Sequence, residues 1–527
     1  MERLQRFCFA GINGVFALWM LTVCLLMGLN IASYYYNVVD FRPLYYLLFA
    51  VLAAAVTFSG MALCRKSAKL SAFLRKNPEK IMLCSVLLLF CVQAAFLSIA
   101  YVPLGWDVTE IIEMASGKSL FDNYFIRYPN NTVMTACFKV LFQFTNKFGM
   151  DCWLAAILLS ALATDVALVL ICRTVQKVFG LKAFYLTLWL SVLLYAMHPT
   201  VSTPYSDTLA MPFTAAFVYF GAKFMLAHTR REKCRFGFIY GFVLYFGYCI
   251  KPTVMIAGIA SVILLFLCLK KPTKAQFTSA LLCILFCAGG ILTACTLSTA
   301  SNAVVFGRVP TEEQRYEKEF PMSHFFMMGL NERSDAYYGF FRADVNTTAS
   351  ITGKNEKTEF HKSIIRVRLK NMGASGFLQH CLNKAIWVST DGTFYYGGEG
   401  EFHNGNEKAE SGLRGVLQNY LYTETPFYTQ FLANAMQGVW LFVSVGVWLS
   451  CLRRQKFATA PQNKLRFFLQ LSLLGLLLFL MLFEARSRYL FLYLPYFAAL
   501  AAIGFSQKRS KTRKRKSQKA KPISEKE

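Results

Sequence analysis

The chain contains an apolar run, IMLCSVLLLFCVQAAFLSIAYVP (Ile81–Pro103), that is followed almost at once by GWDVTEIIEMASGKSLFDNYFIRYPNN (Gly105–Asn131). The first stretch is long enough to cross about 30 Å of hydrocarbon as a helix. The second carries four acids, a tryptophan and a Tyr-Pro turn, which a simple connection between membrane helices does not need. Because loops held by a rigid scaffold commonly carry functional groups, this acidic loop is predicted to belong to a functional site.

Apolar runs of similar length recur along the whole chain, and 55% of its 527 residues are hydrophobic. This composition predicts an all-α polytopic membrane protein with about twelve transmembrane helices and additional interfacial helices. The external loop between residues 300 and 430 is expected to have mixed α/β or irregular structure, since IIRVRLK (364–370) alternates apolar and basic residues. The predicted spans are residues 8–32, 44–64, 81–103, 151–172, 183–198, 208–227, 236–251, 253–269, 277–299, 432–452, 465–483 and 488–505.

The net charge of +27 comes largely from short basic clusters between the apolar runs. Short basic loops of membrane proteins face the cytoplasm, so the clusters predict a multi-pass plasma-membrane protein with both termini cytoplasmic. The same distribution argues against nucleic-acid binding and favours contact of the basic tail with anionic lipids. The clusters lie at residues 65–80, 173–182, 228–235, 270–274, 453–456 and 508–526.

The predicted topology puts the acidic loop outside the membrane. Thr132–Phe144 is too short to span and contains Lys139, so we expect it to lie along the membrane surface. As a span it would move every later basic cluster to the outside. The expected parts are 1–80 (two helices and a basic loop), 81–299 (a transmembrane core with acidic loop 104–131 and interfacial helix 132–145), 300–430 (a large external loop domain), 431–505 (C-terminal helices) and 506–527 (a basic tail).

Five motifs follow one another on the predicted outer face: GWD (105–107), YPNN (128–131), PYSDTLAMP (204–212), YCIKPT (248–253) and EARSRYLF (484–491). In this order they resemble the C superfamily of membrane glycosyltransferases (the GT-C fold), within it the protein O-mannosyltransferase-like and aminoarabinose-transferase-like group. The resemblance implies a bacterial transferase that takes its sugar from a polyprenyl-phosphate donor. It also implies an outer-face glycan, lipid or protein of the cell envelope as acceptor, with membrane lipids as further partners.

The acids of the outer face are the candidates for catalysis and for acceptor binding. Asp107 is the candidate base, because the first acid of this loop has that role in the resemblance and sugar transfer needs a base. The alternative is that Asp107 caps a helix beginning near Val108. Glu110 and Asp207 are candidates for contact with the acceptor or a metal. Their alternatives are a solvated helix face for Glu110, shared with Glu113, and a helix cap for Asp207.

Cations near membrane depth are the candidates for binding the donor phosphate. Lys251 lies between two short spans and either binds phosphate or extends towards the membrane surface as a helix-terminal lysine. Arg486 and Arg488 form a second cluster with Tyr489, and arginine suits two-pronged phosphate contact. Pairing with Glu484 is the alternative for the arginines.

Tyr128, Asn130 and Asn131 are expected to position the acidic loop at its Tyr-Pro turn. Helix capping is the alternative for the two asparagines, because a helix is predicted to begin there. A divalent cation stays an open alternative, since Asp107 and Asp207 share a face, although no spacing in the sequence defines a metal site.

Two other classes of protein fit a chain with a dozen spans. The first is a multi-pass transporter or flippase for lipids or sugars, which would favour internal repeats and polar groups at mid-depth. The second is a membrane scaffold whose external loop recruits partners. The polar groups of this sequence collect at one predicted face, and that distribution favours the transferase.

Overall fold

A computed structural model of the chain describes residues 2–30, 39, 41–118, 122–268, 274–306, 311–332, 341–398, 402–452 and 461–506. Every regular element within these ranges is a helix, so the predicted all-α polytopic fold is confirmed. The predicted basic clusters at 453–456 and 508–526, and nearly all of 270–274, lie outside the described residues.

The N-terminal part of the chain contains three long apolar helices and four shorter ones. The last of the shorter helices contains 14 residues. At 1.5 Å per residue it is roughly 21 Å long, which is short of the hydrocarbon thickness. The helices are α1 (Glu2–Gly28), α2 (Pro43–Lys66), α3 (Ala68–Lys76), α4 (Pro78–Ala100), α5 (Asp107–Ser116), α6 (Asp122–Arg127) and α7 (Thr132–Thr145).

The central part of the chain adds further membrane helices. They are α8 (Cys152–Phe179), α9 (Leu181–Ser191), α10 (Ser206–Leu209), α11 (Met211–Leu226), α12 (Arg230–Ile250), α13 (Met255–Cys268) and α14 (Lys274–Phe306). Helix α9 continues into a π-helical turn, Val192–Ala196. Helix α14 has 33 residues and extends beyond its predicted end at residue 299.

The large segment between α14 and the C-terminal helices also folds into helices. They are α15 (Glu312–Lys318), α16 (Met322–Gly329), α17 (Arg342–Ser350), α18 (Lys354–Ser389) and α19 (Gly412–Gln418). Helix α18 is kinked at Gly373, where φ is 60°. The described residues of this segment include no strand, so the α/β alternative is wrong there and the helices are joined by irregular stretches.

The C-terminal helices are α20 (Ala433–Cys451), α21 (Pro461–Leu482) and α22 (Leu494–Ser506). Nine described segments are long and apolar enough to cross a membrane. Leu181–Ala196 and Pro252–Cys268 are shorter apolar helices, and α12 has 21 residues and covers the predicted span 236–251. Each predicted span therefore coincides with a helical segment.

The helices differ greatly in how much of their surface other helices cover. In the most apolar window of Ser487–Ser506, which contains α22, 89% of residues are buried, against 11% in α2. Helices α8, α20, α21 and α22 form the core of the bundle, and α1, α2, α4 and α14 lie at its periphery. Because α2 and α14 are apolar yet exposed, their outer surfaces suit contact with lipid tails.

The connections predicted to be cytoplasmic and the acidic loop lie at opposite ends of the bundle. At one end Arg173 of α8 pairs with Glu79 of α4 at 3.2 Å, and Lys182 bonds the carbonyl of Ser506. These residues belong to the connections predicted to be cytoplasmic. The acidic loop and Lys251 lie at the opposite end, beside the segment 311–426. The side of the membrane that each end faces stays a prediction.

Two glycines allow α12 and α14 to approach at backbone distance. A Cβ atom at Gly241 would overlap the carbonyl oxygen of Cys287, and one at Gly290 would overlap that of Phe238. Small residues at a helix crossing permit this close packing in membranes. The contact matters for the site described below, because Lys251 directly follows α12.

Replacing Gly290 by alanine is expected to lower the stability of the protein by about 1–3 kcal/mol, because the new methyl group overpacks the crossing. Gly289→Ala is the matched control on the same helix, since its Cβ would lie 3.7 Å from a ring carbon of Phe238, an ordinary contact. Thermal unfolding in detergent measures both. Equal midpoints for the two variants would contradict the proposed backbone contact.

A hydrogen-bonded pair of buried histidines joins α16, α17 and α18. The hydroxyl of Thr348 lies 2.8 Å from Nδ1 of His324 and 3.0 Å from Nε2 of His361. Ser323 occupies the other nitrogen of His361 at 2.9 Å. Burial lowers the pKa of His324 to about 3 and that of His361 to about 4. Both rings are therefore neutral in the folded helices at neutral pH.

These helices are expected to lose stability on acidification. In the unfolded chain the histidines have a pKa of about 6.5, so protons bind the unfolded state first and stability falls from about pH 6.5 towards pH 3–4. Hydrogen exchange of α16–α18 peptides at pH 7 and pH 5, corrected for intrinsic rates, measures the effect. His361→Gln should reduce the pH dependence, and the exposed His228→Gln should not. Protection that is equal at both pH values would contradict the expectation.

Candidate active site

Asp107 lies at the start of α5, on a turn with unusual backbone geometry. Trp106 precedes the helix with a φ of 62°, which is rare for a residue other than glycine. The neighbouring Gly105 N–H donates to the carbonyl of Phe402 at 3.0 Å. Helix α5 begins at Asp107 itself, with Trp106 in the capping position, so the prediction that Asp107 caps the helix is wrong. Strain of this kind persists only where the surroundings enforce it.

The half-buried carboxylate of Asp107 accepts hydrogen bonds from tyrosines. The Tyr205 hydroxyl donates to Oδ2 at 2.8 Å. Burial, the charge of Asp107 and a hydrogen bond to it hold the pKa of Tyr124 well above its ordinary value. The Tyr124 phenol therefore stays protonated beside the carboxylate.

The two asparagines of the Tyr-Pro turn form hydrogen bonds that hold Tyr124 in place. The Asn131 amide donates to the Tyr124 hydroxyl at 2.7 Å, and Asn130 donates to the Asn131 carbonyl oxygen at 3.0 Å. Neither side chain caps a helix, so that alternative is wrong. The amides instead orient the Tyr124 oxygen so that its proton is directed away from Asn131.

Tyr128 and Glu110 complete the surroundings of Asp107. The Tyr128 ring lies 5.3 Å from that of Tyr124, and burial followed by the charge of Asp107 raises its pKa. Glu110 is half-buried, so its side chain is only partly exposed to solvent on the helix face. Burial and the charges of Glu113 and Asp107 raise the pKa of Glu110.

A second part of the site consists of two cations on one carboxylate. The Asp207 side chain is only 2% exposed. Its Oδ1 lies 2.9 Å from Nζ of Lys251, and its Oδ2 lies 3.5 Å from Nε of Arg488. Asp207 lies inside α10, whose capping residue is Tyr205, so a capping role for Asp207 is wrong. Burial lowers the pKa of Lys251, whereas the charge of Asp207 raises it. The amine therefore keeps its charge best with an anion beside it.

Aromatic rings lie against both cations. The Lys251 ammonium is 4.2 Å from the centre of the Tyr489 ring, and the Arg488 guanidinium is 5.6 Å from the same ring. Arg488 also lies 4.0 Å from the centre of the Tyr205 ring. Cations within about 6 Å of a ring face are attracted to it. Tyr205 therefore joins the two parts of the site, because its hydroxyl bonds Asp107.

The neighbouring arginine behaves differently. Nε of Arg486 pairs with Oε1 of Glu484, and both side chains are largely buried. The predicted alternative of pairing with Glu484 therefore describes Arg486, whereas Arg488 joins Lys251. The charges of Glu484 and Arg486 also act on Tyr128, so this pair borders the acidic loop.

Three further residues of the site region were not predicted from the sequence. Tyr124 lies in the acidic loop, and Tyr205 lies in the motif PYSDTLAMP, two positions before Asp207. Lys384 of α18 donates to the carbonyl of Phe483 at 2.5 Å and to that of Gly329 at 2.8 Å. Burial lowers the pKa of Lys384 to about 7. It ties α18 to the residue before Glu484.

The positions of the acidic side chains do not support the alternative of a divalent-cation site. In the part of the chain that the structure describes, no group of three or more His, Cys, Asp or Glu side chains could hold a metal ion. The two oxygens of Asp207 face cations, and Asp107 accepts from Tyr205. What the site combines is one carboxylate with hydroxyl donors and a nearby pair of cations.

Comparisons with known proteins give a family and one structural similarity. A family model described as "Conserved hypothetical integral membrane protein" matches residues 10–509. No curated protein has a significant sequence match. The crystal structure of ArnT from Cupriavidus metallidurans in the apo state is similar at 11% identity, covering 80% of this chain and 76% of that chain, with a TM-score of 0.32. A similarity of this size carries no argument about the site.

The family model spans nearly the whole sequence, and its description agrees with the apolar helices of the fold. The chain belongs to the family of conserved hypothetical integral membrane proteins.

Proposed function

We propose that the protein is a glycosyltransferase that moves a sugar from a polyprenyl-phosphate donor to an acceptor at the outer face of a bacterial plasma membrane. The observation that carries the proposal is the network in which Tyr205 joins the Asp107 carboxylate to Arg488, Asp207 and Lys251. Sugar transfer from a lipid phosphate needs a base for the acceptor and positive charge for the leaving group. The five sequence motifs point to the same chemistry.

In the proposed reaction Asp107 accepts the proton of an acceptor hydroxyl group. The acceptor oxygen forms a bond to the anomeric carbon of the donor sugar, and the bond from that carbon to the phosphate oxygen breaks. The electron pair of the broken bond stays on the polyprenyl phosphate, which leaves as an anion. Lys251 and Arg488 stabilise the charge that develops on this oxygen.

Asp207 has a supporting role in this scheme. Its pairing with both cations supports a function in orienting them rather than in contacting the acceptor. Tyr489 supports the same two cations from the ring side. Arg486 is engaged by Glu484 and borders the site, so we assign it a secondary place in phosphate binding.

The external helices are proposed to shape access for the acceptor, which is an envelope glycan, lipid or protein. Two contacts support this role. The Phe402 carbonyl accepts from Gly105, and the Phe402 ring lies 6.5 Å from that of Trp106. The segment therefore lies directly against the loop that carries Asp107. The basic residues at the opposite end of the bundle support the proposed outer-face location.

Asp107→Asn is expected to reduce sugar transfer by about 10²–10⁴-fold, the usual contribution of a general base. The assay uses purified protein in vesicles with a radiolabelled polyprenyl-phosphate sugar and cell-envelope acceptors. Glu113→Gln is the matched control on the same helix and should retain transfer. Wild-type rates in Asp107→Asn would remove this residue as the base. Movement of the sugar lipid across vesicles without any transfer would favour the flippase instead.

Lys251→Gln and Arg488→Gln are each expected to raise the donor KM by roughly 10–100-fold, since a hydrogen bond to a charged group contributes about 1.5–3 kcal/mol. Arg173→Gln, at the opposite end of the bundle and 44% exposed, should leave the donor KM unchanged. Because each change leaves Asp207 with one cation fewer, Lys251→Gln is also combined with Asp207→Asn to restore charge balance. Folded variants with the wild-type donor KM would contradict phosphate binding by these cations.

A further inference from the structure

Tyr205 makes contacts with both halves of the site through different parts of one side chain. It lies in an extended stretch directly before α10 and is 7% exposed. Its hydroxyl donates to Oδ2 of Asp107 at 2.8 Å. The face of its ring lies 4.0 Å from the guanidinium carbon of Arg488. A single rigid ring thus spans the space between the carboxylate and the nearer cation.

We infer that Tyr205 is a positioning residue that fixes the acceptor base and the phosphate-binding cations at one separation, an inference that rests on the proposed function. The hydroxyl holds the Asp107 carboxylate in one orientation. The ring keeps Arg488 in place while it pairs with Asp207. Because both effects act through one side chain, the distance between the base and the leaving-group site stays constant.

The hydroxyl acts on the orientation of the Asp107 carboxylate. Its bond to Oδ2 holds that oxygen in one direction. Tyr124 is a second donor to the same carboxylate. Loss of either hydroxyl should leave the carboxylate less firmly held, because a typical hydrogen bond contributes about 1 kcal/mol.

The ring acts on phosphate binding instead. A guanidinium held against an aromatic face keeps one orientation, and desolvation strengthens the attraction. Without the ring, Arg488 loses one of the contacts that hold it in the position where it pairs with Asp207. Phosphate affinity should then fall by about tenfold, whereas loss of the hydroxyl alone should leave it unchanged.

Three variants separate the two effects in the full-length protein. Tyr205→Phe removes the hydroxyl and keeps the ring, and Tyr205→Leu removes both. Tyr124→Phe is the matched control, because it removes a hydroxyl from Asp107 and leaves the ring beside Arg488 intact. Thermal unfolding in detergent checks that each variant folds.

Two readouts that need no turnover are measured on each variant. The rate of carbodiimide labelling at Asp107, read by mass spectrometry at one fixed pH, reports how firmly the carboxylate is held by its donors. Calorimetric titration with dodecyl phosphate reports phosphate affinity. We expect labelling to become about tenfold faster in all three variants, and affinity to fall about tenfold only in Tyr205→Leu.

The inference is overturned if Tyr205→Phe leaves the labelling rate of Asp107 unchanged, or if a folded Tyr205→Leu binds dodecyl phosphate as well as Tyr205→Phe does. Failure of the proposed function has a different signature. A wild-type protein that transfers no sugar would overturn the glycosyltransferase proposal, while the labelling rates and the phosphate affinities would still decide the role of Tyr205. In an active enzyme, Tyr205→Phe should lower kcat and leave the donor KM unchanged, whereas Tyr205→Leu should change both.

Discussion

The ion pairs of Asp207 with Lys251 and Arg488 hold together the end of the bundle on which the candidate site lies. They connect the start of α10, the junction between α12 and α13, and the stretch before α22. All three side chains are at most 13% exposed, so removing one partner would leave a buried charge at a cost of about 3–5 kcal/mol. The exposed pair Arg173–Glu79 contributes about 0–1 kcal/mol at the other end.

The sequence predicts the helices well because an apolar run of about twenty residues has few other stable forms in a bilayer. It also predicts that Asp107, Asp207, Lys251 and Arg488 share one end of the bundle, since they follow or precede spans of known direction. It cannot decide which arginine of the EARSR stretch joins Lys251. The backbone is extended at Arg486. In an extended backbone, residues two positions apart share a face, so the sequence places Arg486 and Arg488 equally well. Neighbours from other segments decide which of the two pairs with Asp207.

The main site residues that the sequence did not indicate are two tyrosines, Tyr124 and Tyr205. The chain contains 26 tyrosines, and a neutral residue gives no signal in a charge pattern. Only the tertiary fold brings Tyr124 and Tyr205 to Asp107. The predicted α/β structure of residues 300–430 was wrong for a related reason. Apolar and basic residues alternate in residues 364–370, and this pattern is typical of a strand. In the structure these residues lie in α18, where Arg368 makes two bonds to Asp344, at 2.7 and 2.9 Å.

The close contact between α12 and α14 has a consequence for how a ligand would bind. With backbones touching at Gly241 and Gly290, α12 has little freedom to shift sideways against α14. Lys251 therefore follows a helix that is held in place, and Asp207 and Tyr489 restrict its side chain further. Ordering of flexible groups is a main entropic cost of association. In the proposed reaction, part of that cost is met during folding, because the amine proposed to hold the donor phosphate is already in position.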